Sequence, residues 1–133
     1  PGALEGGVLS RQEIEFEVSD FAAARRFLEA LGYRVFTTYE KIRENFTLAG
    51  VQVSLDEMPF GNFTELEGPN PEAIRKLAES LGLAWERRIA MSYLELFARL
   101  KTRLALPFDD LTFEAFRDRT IRPEDLGVQP ADG

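Results

Sequence analysis

Residues 51–68 read VQVSLDEMPFGNFTELEG. Val51, Val53 and Leu55 alternate with Gln52, Ser54 and Asp56. After Pro59 and Gly61, Glu65 and Glu67 share one side, with Leu66 opposite. A period of two marks a half-buried strand. Pro and Gly between two such runs mark a turn. The stretch therefore predicts a β-hairpin with three carboxylates, Asp56, Glu65 and Glu67, on its polar side.

Upstream, Ile42, Phe46 and Leu48 share one face, and Lys41, Arg43, Asn45 and Thr47 the other. Ala49 and Gly50 join this run to the hairpin as a tight turn. Residues 11–20, RQEIEFEVSD, also alternate, with Ile14, Phe16 and Val18 against Glu13, Glu15 and Glu17. A strand is expected there, followed by a helix capped at Ser19 or Asp20 and ended by Gly32. Asn70 followed by Pro71 predicts a second helix, closed by Gly82. Ser92 and Glu95 form a capping-box pattern ahead of a third, whose apolar side is Tyr93, Leu96, Phe97 and Leu100. Tyr93, Phe97 and Trp85 are read as core residues. Leu111, Phe113 and Phe116 suit a short helix. Residues 1–10 read as a Gly-rich arm and the end of the chain as a tail.

The whole chain has 133 residues and suits one small domain. Its formal net charge of −7 argues against a general nucleic-acid or anionic-membrane binder. It contains neither Cys nor His. Thiolate chemistry, the commonest general base and the usual transition-metal ligand are thereby excluded. No apolar run approaches the roughly 18 residues of a membrane span, and the start lacks a signal-peptide pattern. A cytoplasmic location is the default expectation.

The polar sides of the four predicted strands carry Glu13, Glu15 and Glu17; Lys41 and Arg43; Asp56; and Glu65 and Glu67. Two readings stay open on alternation alone. In one the charged face is merely solvated and its ions pair across strands. In the other the carboxylates are hard ligands for Mg²⁺ or Mn²⁺, with Lys and Arg holding phosphate oxygens.

The motifs Lys41-x-Arg43, Leu55-Asp56, Gly61-x-Phe63-x-Glu65-x-Glu67 and Ser92-Tyr93 resemble the C-terminal half of the CYTH family, the triphosphate tunnel metalloenzymes. The resemblance implies an α+β fold. In it an antiparallel sheet forms half of a tunnel-like β-barrel, with helices on the outer apolar face. Residues 1–10 would be an arm, 11–101 the C-terminal half of a CYTH domain, and 102–133 a short helix and tail. The family's first half, with its Glu-x-Glu-x-Lys strand, is not matched. By resemblance Lys41 and Arg43 bind substrate, and Asp56, Glu65, Glu67, Glu13 and Glu15 bind metal. No catalytic residue is assigned. The implied function is Mg²⁺- or Mn²⁺-dependent binding and hydrolysis of a triphosphate, incomplete in this chain alone. The alternatives are a class IV adenylate cyclase acting on ATP and a non-catalytic half-domain binding polyphosphate or protein. The implied partners are a triphosphate or ATP, with no nucleic acid and no membrane, and a second copy or a missing N-terminal half to close the tunnel.

Overall fold

The computed structural model describes residues 3–132. Where an arm was expected, β1 (Ala3–Glu5) and β2 (Val8–Ser10) form an antiparallel hairpin. Its two-residue turn is possible because Gly6 and Gly7 both adopt positive φ, +56° and +79°. Residues 1 and 2 of the expected arm lie outside the described residues.

The predicted strand over 11–18 does not form. Ile14 and Phe16 are exposed, and among the described residues no neighbouring strand pairs with this run. Alternation supplies an amphipathic ribbon, but a ribbon becomes a strand only when a ladder satisfies its backbone groups. The helix after it does form, as α1 (Phe21–Ala30), with the Asp20 carboxylate accepting from the Ala23 N–H. None of its residues is buried.

The central sheet is β3 (Ile42–Leu48), β4 (Val51–Met58) and β5 (Gly61–Glu67), in sequence order and antiparallel throughout. It does not close into a barrel among the described residues. The β3–β4 turn places Ala49 and Gly50 at φ of 51° and 77°. This left-handed pair matches the twist of the flanking strands.

Helices are expected on the outer apolar face, and two of them take opposite faces of the sheet. Helix α2 (Pro71–Ser80), capped by Asn70, covers only one end of the apolar face. There Leu77 and Ala73 pack on Val51, Val53 and Leu66. Ile42, Phe46 and Leu55 on the same face stay exposed. The opposite face turns apolar at its far end, where Met58 and Phe63 follow the polar run. That end needs cover, and α3 (Tyr93–Leu104) supplies it with Leu96, Phe97 and Leu100.

Two short helices, α4 (Phe113–Phe116) and α5 (Pro123–Leu126), complete this larger core. Leu106, Leu111, Phe116 and Leu126 are all buried in it. The segment expected to be a tail is therefore part of the fold. Among the described residues no helix is long and apolar enough to cross a membrane.

Candidate functional site

Antiparallel register decides which polar side chains meet. Arg43 on β3 stands opposite Asp56 on β4, and Asn45 stands opposite Ser54, which faces Glu65 on β5. Side chains directly opposite on one face are near enough to bond. The Ser54 hydroxyl donates to Asn45 Oδ1 at 2.8 Å.

Asp56 is the hub. Its side chain is fully shielded from solvent. Arg43 grips it in a fork, Nε to Oδ1 and Nη2 to Oδ2, each at 2.6 Å. Arg43 Nη2 also donates to Glu65 Oε2 at 2.8 Å. The Tyr93 hydroxyl, arriving from the first turn of α3, donates to Asp56 Oδ2 at 2.7 Å. Lys41 Nζ stands 3.7 Å from that same oxygen, an ion pair without a hydrogen bond. It also lies 5.7 Å from the centre of the Tyr93 ring, within cation–π range.

The local charges shape one another. Burial alone would push the Asp56 carboxyl up. Hydrogen bonds from Arg43 and Tyr93, with the charges of Lys41 and Arg43, outweigh it and hold the group below its usual range. The Asp56 hydrogen bond raises the Arg43 guanidinium against the opposing effect of burial. Burial first, then the hydrogen bond to Asp56 and the nearby carboxylate charges, push the Tyr93 phenol well above its ordinary value.

The sequence-predicted residues divide cleanly. Lys41, Arg43, Asp56 and Glu65 come together. Glu67 lies exposed near the end of β5, opposite Gln52. Glu13 and Glu15 are not brought to the cluster. They sit on the exposed run before α1, where Glu13 pairs with Arg11. Among the described residues no three acidic side chains stand close enough to hold a metal ion. Asp56 Oδ2 already accepts from both Arg43 and Tyr93, and Oδ1 from Arg43, so as arranged the carboxylates do not fit a resident metal site.

Tyr93 is the site residue that reading for apolar stripes assigned to the core. Its ring does pack, 5.2 Å from Phe63 and 6.5 Å from Phe60. The missed signal was its hydroxyl, which must find a partner when the ring is covered.

A protein-family model described as the CYTH domain matches residues 2–99. No curated protein and no solved structure matches the chain. The family match takes in most of the 133 residues and the whole Lys41, Arg43, Asp56, Glu65 and Tyr93 cluster, so the chain belongs to the CYTH domain family.

Proposed function

We propose that this chain binds the triphosphate group of a small inorganic or organic triphosphate, as its complex with Mg²⁺ or Mn²⁺, through Lys41 and Arg43. CYTH domains are in general triphosphate-binding tunnel enzymes that depend on divalent metals. One observation carries the assignment within this chain. Lys41 and Arg43 stand together on one face of the sheet, and two of their nitrogens are uncommitted. Among the described residues neither Lys41 Nζ nor Arg43 Nη1 makes a hydrogen bond. A fork already held at Nε and Nη2 offers its remaining edge to phosphate oxygens at little further ordering cost.

The cluster's charge supports delivery of the cation with the ligand. Lys41 and Arg43 balance Asp56 and Glu65, leaving the four groups formally neutral. A bare triphosphate carries several negative charges and gains little long-range attraction from a neutral patch. Its divalent-metal complex is less repelled by Glu65, the site's carboxylate on the solvent side.

Hydrolysis of the bound triphosphate is the reaction we assign to the complete tunnel. Among the described residues the carboxylates beside the basic pair, Asp56 and Glu65, are both held by Arg43. That favours, as a second reading, a half-site that binds polyphosphate without turnover. Cyclisation of ATP is the remaining alternative.

Calorimetric titration with tripolyphosphate tests the binding step. We expect binding with Mg²⁺ or Mn²⁺ and its loss on chelation. Arg43→Ala should weaken binding about 10–100-fold, the worth of one charge-assisted hydrogen bond. Unchanged binding in Arg43→Ala would reject the site. Phosphate release, cyclic AMP formation and binding without either separate the three readings.

A further inference from the structure

We propose that Tyr93 is a positioning residue of this phosphate site, keeping Lys41 available to the ligand by occupying the carboxylate oxygen that Lys41 would otherwise bind. The proposal rests on the assignment of Lys41 and Arg43 to phosphate. It gives a role to a residue that this assignment leaves without a contact to the phosphate.

The competition centres on one atom. Asp56 Oδ2 accepts from Arg43 Nη2 at 2.6 Å and from Tyr93 Oη at 2.7 Å, with Lys41 Nζ waiting 3.7 Å away. Those two donors match the oxygen's two lone-pair sites. With the phenol in place, Lys41 is attracted to Asp56 but has no open site on Oδ2. Without it, a shift of under an ångström would bring the ammonium into a charge-assisted hydrogen bond. Lys41 would then be spent on Asp56, and a bound phosphate would have to break that bond to recruit it.

The ring provides a second hold. Its face lies 5.7 Å from Lys41 Nζ and stabilises the ammonium away from Oδ2. Local structure fixes this geometry. Tyr93 is the first residue of α3, whose start is set by the reciprocal Ser92–Glu95 capping box. The ring is wedged against Phe63 and Phe60. The hydroxyl therefore reaches Asp56 from a rigid element rather than from a mobile loop.

The test is a double-mutant cycle read by calorimetry with tripolyphosphate and Mg²⁺. Tyr93→Phe keeps the ring and its packing and removes only the hydroxyl. It should weaken binding about tenfold. In a Lys41→Ala background the same change should have almost no effect, because there is no ammonium left to misdirect. An equal loss in both backgrounds would mean that Tyr93 acts only through general structure, and would overturn the proposal. So would full binding in Tyr93→Phe alone.

A second readout separates this proposal from the function it rests on. The Tyr93 phenol is isolated by the difference in ultraviolet titration between the wild type and Tyr93→Phe. It should ionise well above the ordinary tyrosine range, and Asp56→Asn should bring it down. If the wild type binds no tripolyphosphate yet the phenol titrates high, the phosphate assignment fails and the Tyr93–Asp56 clamp stands as structure. If the phenol titrates near pH 10, the clamp itself is refuted, whatever binds.

Discussion

At the residue scale, Asp56 is a shielded carboxylate whose oxygens serve a guanidinium and a phenol. Its oxygens hold Arg43 and Tyr93, and its charge is compensated where it lies shielded from water. Removing that charge leaves the guanidinium without its main partner. Asp56→Asn should cost about 3 kcal/mol in denaturant unfolding, the lower end for a broken buried pair because Arg43 still reaches solvent. The pH dependence follows from the direction of the shift. A carboxyl depressed in the folded state adds stability above its unfolded value near pH 4, and loses it as pH falls through its own lower value. The wild type should therefore lose stability in acid below about pH 4, and Asp56→Asn should lose less over the same interval. Acid titrations of both proteins, followed by circular dichroism, would compare them.

At the scale of elements, the site depends on where α3 begins. The Ser92 hydroxyl accepts from the Glu95 N–H, and the Glu95 carboxylate accepts from the Ser92 N–H. Hydrogen bonds from the Ser92 backbone and hydroxyl hold the Glu95 carboxyl below its usual range. This box satisfies otherwise orphaned donors one residue before Tyr93. Ser92→Ala should destabilise the protein by about 1 kcal/mol. It should also fray the turn that carries the phenol, so tripolyphosphate binding should weaken in the same variant. Thermal unfolding and calorimetry on one preparation would check both. A loss of stability with intact binding would place the cap outside the site's support. The hairpin β4–β5 has no such dependence on one cap, since its register is held along its length by ladder bonds.

At the scale of the whole molecule, much apolar surface is left open. Phe46 and Leu55 on the sheet are nearly half exposed, and Phe16 and Phe36 are 81% and 92% exposed. Apolar area left this open would be covered by a partner surface, and we expect a second copy to supply it. Charge favours one geometry for a second copy. Arg43 lies on β3 and Lys41 just precedes it, whereas β5 carries Glu65 and Glu67. The alternating run with Glu13, Glu15 and Glu17 suits the first edge and is repelled by the second. We expect concentration-dependent dimerisation in sedimentation velocity, weakened by Phe46→Lys. A monomer at high concentration would argue against it.

The strands at 42–48, 51–58 and 61–67 were legible because their alternation and turn residues are local properties of the chain. So were the caps Asn70 and Ser92, with Asp20 one of two candidates beside Ser19, since a cap is decided by side chains within three residues of it. The pairing of Lys41 and Arg43 with Asp56 and Glu65 was legible in part, because hairpins joined by short turns fix their own register. Three features were decided only by tertiary structure. Residues 11–18 have the pattern of a strand yet no ladder, and pattern cannot supply a partner. Helix α3 covers the polar side of the sheet because Met58 and Phe63 require apolar contact at that end, a balance set by the whole face rather than by any window of sequence. Tyr93 reads as core along its helix, and only the approach of α3 to β4 turns its hydroxyl toward Asp56. Local rules thus wrote the elements and their caps, whereas the meeting of distant elements, which no local period encodes, assembled the site.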